Sequence, residues 1–279
     1  MSSRRKPTPN NPNDLRQRIL DYFQTLRVPL SATDLDAVLA EAEKQRWTPL
    51  ELLSHLLGPQ ADLRRQRAID RRIREARFRE PATLEGFDWE FNAQAIDRQQ
   101  IETLATGEFI RRGDNLVILG QSGVGKSRIV QAVGRAACAR DYRVRYITSA
   151  ELLQDLTACL ADHTLPERLR YYSNFDLLAI DEFGFDRIER SESSQAASLL
   201  YKVVDSRTKR STAMVTNISF EAWAEYLGDA PLAMAVLDRV VDGAIILKIE
   251  GRSYRAARLK RPLPRKDGRA AKELPKPTP

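Results

Sequence analysis

The N-terminal part of the chain carries apolar side chains at helical spacing. They recur at i, i+4, i+7, i+8 and i+11, and they are Leu15, Ile19, Tyr22, Phe23 and Leu26. A helix start is indicated at 31–34, and Thr48 before Pro49 and Glu51 is typical of an N-cap followed by proline at N1 and an acid at N3. We therefore predict three short helices within residues 15–57.

A charged stretch follows at residues 61–80 and ends at Pro81. Its basic members are Arg64, Arg65, Arg67, Arg71, Arg72, Arg74, Arg77 and Arg79, and its acids are Asp62, Asp70, Glu75 and Glu80. One interpretation is a solvated connecting helix. We slightly prefer a helix that faces nucleic acid, because arginine both neutralises phosphate and forms bidentate contacts with it.

From about residue 113 the pattern changes to an alternation of short apolar runs and amphipathic segments. The runs predict strands at 115–119, 143–148, 176–180, 212–216 and 244–249. The segments between them predict helices at 126–140, 150–161, 165–172, 194–209, 220–227 and 231–241. Strands that alternate with helices in this way indicate a parallel five-stranded sheet covered on both faces, which is an α/β fold.

Charge is distributed unevenly along the 279 residues. Residues 1–80 hold 16 basic and 11 acidic side chains, residues 81–251 hold 19 and 25, and residues 252–279 hold 10 and 2. Basic flanks on an acidic body are typical of proteins that meet nucleic acid or an acidic partner. For the C-terminal run, a solubility device or a disordered tail is an equal alternative.

The remaining composition argues against membrane and metal proteins. The chain has no apolar run of the length that a membrane span needs, and its basic N-terminus has no apolar signal region, so we expect a cytoplasmic protein. Cys138 and Cys159 are the only cysteines, and His55 and His163 the only histidines. A structural zinc site needs about four closely spaced ligands, so we interpret the cysteines as two buried reduced thiols.

A glycine-rich segment directly follows the first predicted strand and opens a helix. It matches the pattern GxxxxGK[ST] in full, as Gly120-Gln121-Ser122-Gly123-Val124-Gly125-Lys126-Ser127. Such a loop points backbone N–H groups at a phosphate, and the helix N-terminus adds partial positive charge. We predict a P-loop that binds ATP, with Lys126 on the β- and γ-phosphates and the Ser127 hydroxyl on Mg²⁺. A glycine turn with an incidental lysine is the weaker alternative.

A second candidate site element is the acid pair that follows the third predicted strand. Asp181 and Glu182 stand at its carboxyl end, the edge where open α/β sheets bind ligands. We predict that Asp181 holds the magnesium shell and that Glu182 polarises the attacking water as general base. The alternative is an acid pair that only caps a helix.

Several motifs resemble those of the AAA+ ATPases, and of the IstB-type helper ATPases of insertion-sequence transposons in particular. The resemblance rests on four motifs. They are Thr216-Asn217 with Trp223 in the next helix, Leu237-Asp238-Arg239-Val240, Gly251-Arg252-Ser253-Tyr254-Arg255, and the linker from Arg77-Phe78 to Phe87-Asp88. The first of these is shared with DnaC-like helicase loaders. The resemblance covers roughly residues 65–256, and it implies an AAA+ domain preceded by a small all-α module.

The resemblance also implies roles for two more residues. Asn217 matches the family's polar sensor between the acid pair and the γ-phosphate, and Arg239 matches the arginine that reaches into a neighbouring subunit's nucleotide. Arg207, at the end of the helix before the sensor strand, is a rival for Arg239. The family's oligomers load onto DNA with ATP, so the implied partners are double-stranded DNA, a transposase and further copies of the chain.

The sequence departs from the family pattern in mild ways. The sensor strand ends Val-Thr-Asn where Thr-Ser-Asn is commoner, and the long basic tail has no counterpart in the shared motifs. A helicase loader remains the main alternative to a transposition helper, whereas a metabolic P-loop kinase fits the acid pair and Asn217 less well. We expect four segments: a disordered basic N-terminus at 1–13, the helical module with its Arg-rich linker at 14–80, the ATPase domain at 81–256 and the basic tail at 257–279.

Overall fold

The computed structural model describes residues 12–185 and 190–259, which form two compact units. The first unit ends at Arg72 and the second begins at Ile73. Most of the segment expected to be a disordered N-terminus and nearly all of the basic tail lie outside the described residues. No helix in the described ranges is both long and apolar enough to cross a membrane.

The N-terminal unit is helical, as predicted. Its helices are α1 (Pro12–Thr25), α2 (Ala32–Gln45) and α3 (Pro49–Ala76), the last of which continues into the second unit. A capping box of Ser31 and Asp34 begins α2. Before α3, the backbone N–H of Thr48 donates to the Glu51 carboxylate at 2.7 Å and the Glu51 N–H donates back to the Thr48 hydroxyl at 3.3 Å. Both predicted helix starts are therefore confirmed.

The prediction of a short third helix was wrong. Helix α3 runs for 28 residues, passes through Pro59 and includes most of the arginine-rich stretch. A proline removes one backbone hydrogen bond, but leucine, alanine and arginine on both sides favour the helix strongly enough to carry it past. The helix ends at Ala76 rather than at Pro81, because Arg77 takes up a left-handed conformation with φ of 56°.

The second unit alternates helices and strands from residue 98 onward. Its helices are α4 (Arg98–Ala105), α5 (Glu108–Arg112), α6 (Lys126–Ala139), α7 (Ser149–Ala161), α8 (Leu165–Ser173), α9 (Arg190–Asp205), α10 (Trp223–Leu227), α11 (Ala230–Val241) and α12 (Tyr254–Leu259). Its strands are β1 (Leu116–Gly120), β2 (Val144–Thr148), β3 (Leu177–Phe183), β4 (Ser211–Thr216) and β5 (Ile245–Ile249). Helices α4, α5 and α12 were not predicted, and a 3-10 turn at Phe220–Ala222 precedes α10.

The five strands form one parallel sheet in the order β2-β3-β4-β1-β5. Strand β4 therefore lies between β3 and β1. The carboxyl ends of these three strands carry the acid pair, Asn217 and the P-loop, so the topology brings the three motifs to adjacent positions on one edge. The predicted parallel five-stranded sheet is confirmed.

Alternate residues of the strands enter two separate hydrophobic clusters. Leu116 and Ile118 of β1 pack with α4, α5 and α6 on one face, whereas Val117 packs with α7, α9 and α11 on the other. Strand β3 divides in the same way, with Leu177 on the first face and Leu178 on the second. A sheet buried on both faces is expected to have continuous apolar strands, and this is the pattern from which it was predicted.

Strand β3 extends further than its apolar run indicated. It was predicted to end at residue 180, yet it includes Asp181 and Glu182 and ends at Phe183. Its pairing with β4 shifts register between Ile180 and Phe183, and Glu182 has a left-handed φ of 61°. The two acids point in different directions, since Asp181 is buried and Glu182 is exposed.

Candidate active site

The P-loop packs against β5 and against the segment that follows β5. Gly120 has a φ of 156°, and a Cβ there would lie 2.3 Å from the Ile249 carbonyl oxygen. Gly123 has a φ of 84°, and a Cβ there would lie 2.2 Å from the Ser253 Oγ. Both positions therefore require glycine for space as well as for conformation. The Tyr254 N–H donates to the Gly123 carbonyl at 2.8 Å and holds the loop closed from this side.

Lys126 is the first residue of α6 and is buried. Its ammonium donates to the carbonyl oxygens of Gly120 at 2.7 Å and Gln121 at 2.9 Å, so the side chain folds back along the loop. Burial lowers the pKa of Lys126, while the charge of Asp181 opposes that shift and the charge of Arg255 adds to it. The lysine is thus a confined cation beside the P-loop, in the position from which it can reach a phosphate.

Asp181 is buried and is oriented by two neutral donors. One carboxylate oxygen accepts a hydrogen bond from the Tyr146 hydroxyl at 2.6 Å, and the other accepts one from the Glu182 N–H at 2.7 Å. Burial raises the pKa of the Tyr146 phenol, and the Asp181 charge raises it further. The phenol therefore stays protonated and remains a donor to Asp181. Ser127 lies next to Lys126 in the first turn of α6 and lines the same cavity as Asp181.

Glu182 is directed away from the core. About 47% of its side chain is exposed, and one of its oxygens lies 3.4 Å from the Arg79 guanidinium. Its backbone carbonyl accepts a hydrogen bond from the Ser149 hydroxyl at 3.3 Å, which fixes the irregular end of β3. The carboxylate is therefore exposed on a fixed backbone, and one of its oxygens is paired with Arg79.

Asn217 directly follows β4. With its amide nitrogen turned toward β3, that nitrogen lies 3.3 Å from the Phe183 carbonyl and 3.2 Å from the Gly184 carbonyl. The neighbouring Thr216 hydroxyl also donates to the Phe183 carbonyl, at 2.9 Å. These bonds connect the end of β4 to the end of β3 and leave the Asn217 carbonyl oxygen for other donors.

One cavity of about 400 Å³ brings these residues together. It is lined by Ser122, Gly123, Val124, Gly125, Lys126, Ser127, Asp181, Glu182 and Asn217. The volume of the cavity is within the usual range for small-molecule sites, about 300–1,000 Å³. Gly120 and Gln121 contribute through the carbonyl oxygens that hold Lys126.

Two further segments line the cavity and were not assigned a role from the sequence. Phe87 comes from the linker, Phe91 and Asn92 follow shortly after it, and Tyr254 and Arg255 come from the closing motif. The Asn92 amide donates to the Arg252 carbonyl and accepts from the Arg252 N–H, both at 3.0 Å, so the two segments are bonded to each other. The linker and the closing motif were noticed as family motifs, and that resemblance was the signal that could have placed Phe87, Tyr254 and Arg255 here; Phe91 and Asn92 lie outside the motifs noticed.

Arg239 and Arg207, the two candidates for the arginine that reaches a neighbouring subunit's nucleotide, do not line the cavity. Arg239, in α11, lies 3.2 Å from Asp205, and its carbonyl accepts from the side chain of Asn115, which precedes β1 at the opposite edge of the sheet. Arg207 is fully buried and donates to the carbonyls of Tyr172 and Ser211, each at 2.5 Å. Burial lowers the pKa of Arg207 to about 9. A guanidinium enclosed in its own subunit cannot reach a neighbour, so the rival interpretation of Arg207 was wrong.

Cys138 and Cys159 are both buried, and they do not form a disulfide. Within residues 12–185 and 190–259, no group of three or more His, Cys, Asp or Glu side chains is arranged to hold a metal ion. The interpretation of the cysteines as buried thiols is confirmed.

The family model of IstB-like ATP binding proteins matches residues 22–261. The chain belongs to this family. IstB-like relatives include a protein named for ATP binding in insertion sequence IS232 of Bacillus thuringiensis subsp. berliner, 32% identical over 86% of this chain and 94% of the relative. Another is its counterpart in insertion sequence IS21 of Pseudomonas aeruginosa, 32% identical over 79% of this chain and 82% of the relative.

Solved structures similar to this IstB-like chain include two with the same fold. The DnaC helicase loader superposes with a TM-score of 0.50 at 18% identity, over 60% of this chain and 96% of that one. DnaI gives 0.50 at 20% identity, over 61% and 91%. At such low identity the likeness concerns the fold alone, and the expected AAA+ fold is confirmed.

Proposed function

We propose that this IstB-like protein is an ATP-hydrolysing, DNA-binding helper of a transposase. The observation that carries the proposal is the cavity in which Lys126, Asp181, Glu182 and Asn217 meet at the P-loop. A cation for phosphate, a buried carboxylate, an exposed carboxylate and a polar amide are the groups that hydrolysis of a nucleoside triphosphate requires. The names of the relatives supply the insertion-sequence context.

Magnesium fits the donors at this site. Mg²⁺ prefers oxygen ligands and is usually held by one or two protein groups, its own waters and the phosphates of the substrate. The Ser127 hydroxyl and the Asp181 carboxylate are such ligands, and Asp181 is buried and accepts hydrogen bonds from two neutral donors. Bound there, the ion would neutralise charge on the β- and γ-phosphates.

Each of the remaining cavity residues would have a separate role in ATP hydrolysis. Lys126 would exchange its two carbonyl partners for phosphate oxygens. Glu182, whose carboxylate is exposed, would accept a proton from the attacking water, and Asn217 would position that water or the γ-phosphate. Arg239 would act on the nucleotide of a neighbouring subunit, since it is exposed and lies at the sheet edge opposite its own cavity.

Binding to duplex DNA is supported by the exposed arginines of α3. Arg64, Arg65, Arg67, Arg71 and Arg74 are all exposed along one long helix. Exposed arginines on a continuous helix can follow a phosphate backbone without reading its sequence. Arg168, in the helix α8 that precedes the acid pair, is a weaker candidate for DNA contact, because it lies 3.4 Å from Asp155 and is partly neutralised. The basic tail, of which residues 260–279 lie outside the described part of the chain, stays a further candidate.

The function is tested by Glu182→Gln in an ATP turnover assay with magnesium and a mixed-sequence DNA duplex. The variant should bind ATP like the wild type and hydrolyse it more slowly by about 10² or more, the usual contribution of a general base. Wild-type protein that binds ATP but releases no phosphate, with or without DNA, would contradict the proposal. Co-purification with a transposase, rather than with a replicative helicase, separates the helper from a helicase loader.

A further inference from the structure

Asn115 connects three elements at the amino edge of the sheet, opposite the cavity. Its side-chain oxygen accepts a hydrogen bond from the Thr212 N–H in β4 at 2.9 Å. Its backbone carbonyl accepts one from the Ile245 N–H, the first residue of β5, at 2.9 Å. Its side-chain nitrogen donates to the Arg239 carbonyl in α11, also at 2.9 Å. The residue directly before β1 therefore attaches the helix of Arg239 to both strands that flank β1.

The bond to Arg239 caps the end of its helix. Arg239 lies in the last turn of α11, where backbone carbonyls have no partner within the helix. The Asp238 carbonyl in this turn accepts from the Asp242 N–H at 3.1 Å, and the Asn115 amide serves the carbonyl that follows. Helix ends without such partners fray easily. The backbone of Arg239 is thus fixed by a side chain of the sheet rather than by its own helix.

The Arg239 side chain is long and 54% exposed, and its Nε lies 3.2 Å from Asp205 at the end of α9. An arginine that stabilises phosphoryl transfer has to meet the phosphate at hydrogen-bond distance, and a displacement of about 1 Å can cost about 10² in rate. Asn115 fixes the backbone end of this side chain, and Asp205 orients its guanidinium in the resting subunit. The two contacts keep the arginine extended at the sheet edge opposite its own cavity.

We propose that Asn115 is a positioning residue for the reaction of the neighbouring subunit, because it holds the last turn of α11 so that Arg239 can reach the neighbour's triphosphate. This inference rests on the proposed hydrolysis of ATP and on the proposed trans role of Arg239. It assigns a task to a residue outside the P-loop, the acid pair and the sensor. Asn115 acts on the neighbour's nucleotide, although the strand that follows it, β1, leads to the P-loop of its own subunit.

Asn115→Asp separates the two side-chain bonds. Aspartate keeps an oxygen for the Thr212 N–H, but it places an acceptor where the donor to the Arg239 carbonyl was. Negative charge is also unfavourable near the C-terminus of a helix. Turnover at saturating ATP and mixed-sequence duplex should fall by about 10². The ATP dissociation constant of the isolated subunit, measured with a fluorescent analogue, should stay unchanged. Asn174→Asp, the same substitution at the residue that follows α8, is the matched control and should change neither quantity.

Mixing with variants of known defect decides in which subunit Asn115 acts. Lys126→Ala keeps Asn115 and Arg239, and Asn115→Asp keeps the phosphate site, so a mixture of these two should partly regain turnover. In a mixture of Asn115→Asp with Arg239→Ala, neither subunit presents a positioned arginine, so no ratio should restore turnover. Sedimentation confirms co-assembly in both mixtures.

A role for Asn115 in its own P-loop predicts the reverse pattern. Asn115→Asp would then carry a defective phosphate site and an intact arginine, so Arg239→Ala would restore turnover and Lys126→Ala would not. That reversed pattern would overturn the inference, as would turnover of Asn115→Asp equal to that of the wild type. Asn115→Ala removes both side-chain bonds without adding charge. It replaces Asn115→Asp if that variant does not fold, and the same pattern is expected in the two mixtures.

Failure of the inference can be told apart from failure of the proposed function. If the wild type hydrolyses ATP and the mixture of Lys126→Ala with Arg239→Ala regains turnover, while the Asn115 variants stay fully active or give the reversed pattern, only the positioning role is disproved. If that mixture regains no turnover, the trans role of Arg239 fails and the inference fails with it. If the wild type hydrolyses no ATP under any condition, the proposed function itself fails.

Discussion

The Tyr146 hydroxyl donates a 2.6 Å hydrogen bond to Asp181, and both side chains are buried. The two residues face each other from adjacent strands, β2 and β3, whose register pairs Tyr146 with Ala179 and Thr148 with Asp181. Asp181 thereby receives its orientation from a strand that carries no sequence motif. A ligand to a metal depends on such a partner for its direction.

We expect Tyr146→Phe to weaken ATP binding in magnesium by about tenfold, the lower end of what partners of metal ligands usually contribute. The aromatic ring remains, so packing is preserved, but Asp181 loses the donor that fixes one oxygen. The measurement is titration with a fluorescent ATP analogue, once with magnesium and once with EDTA. The loss should occur only with magnesium. An equal loss in EDTA would assign the effect to packing rather than to the metal ligand.

Removal of the Lys126 ammonium should abolish ATP binding or weaken it severely. In Lys126→Ala the P-loop keeps its backbone donors but loses the cation that would reach the β- and γ-phosphates. Titration with the same analogue measures the effect, and Arg140→Ala, directly after the other end of α6 and bonded to the Ala136 carbonyl, is a control outside the cavity. Equal affinity of Lys126→Ala and wild type would contradict the assignment of the phosphate site.

The lowered pKa of Lys126 also predicts a dependence of stability on pH. Burial makes the charged ammonium less favourable in the folded protein than in the unfolded chain, where its pKa is near 10.5. Between the lowered pKa and 10.5 the unfolded chain binds more protons, so this residue's contribution to the free energy of unfolding increases as pH rises. The free energy of unfolding can be measured by denaturant titration of nucleotide-free wild type and Lys126→Ala. Relative to the variant, the wild type should become more stable from about pH 8 to about pH 10. A difference independent of pH would contradict the shift.

The exposed arginines of α3 should determine how DNA binding depends on salt. Each phosphate that they neutralise contributes about −0.9 to the slope of log affinity against log salt. The double substitution of Arg64 and Arg67 by alanine should therefore reduce the magnitude of the slope by up to about 1.8. It should weaken all duplexes alike, as fluorescence anisotropy with two unrelated sequences would measure. Arg98, paired with Glu102 in α4, provides a control substitution. An unchanged slope would remove α3 from the DNA interface and leave the basic tail as the candidate.

The sheet and the P-loop could be predicted because their signals are local. Apolar runs buried on both faces and a glycine loop before a helix are readable within a few residues. The rest depends on distant contacts. Asn92 and Arg252 are 160 residues apart, and their mutual hydrogen bonds help to bring Phe91 and Arg255 to the cavity. Likewise, helix formers on both sides of Pro59 carry α3 through it, and Arg207 gave no sign in the sequence that it would be buried.

The assignment of Arg239 predicts a site completed by a second subunit. Arg239→Ala should leave the ATP affinity of the isolated subunit nearly intact and lower turnover by about 10³ or more, as for other arginines supplied in trans. ATP-dependent assembly, measured by sedimentation, should weaken as well. Asp205→Asn is the matched control, because it removes the partner that lies 3.2 Å from Arg239 and leaves the arginine in place. If Arg239 only forms this surface pair, worth under about 1 kcal/mol, the two variants should behave alike and both remain active.

Mixing inactive variants decides whether the arginine acts across an interface. Arg239→Ala keeps an intact phosphate site, and Lys126→Ala keeps an intact Arg239. In mixed oligomers some interfaces combine the good phosphate site of one subunit with the good arginine of the other, so turnover should partly return and peak at intermediate ratios. An arginine that acts within its own subunit cannot be supplied this way, because every subunit in the mixture carries one defect. Co-assembly without recovered activity at any ratio would therefore exclude the trans role, and the burial of Arg207 prevents that residue from taking its place.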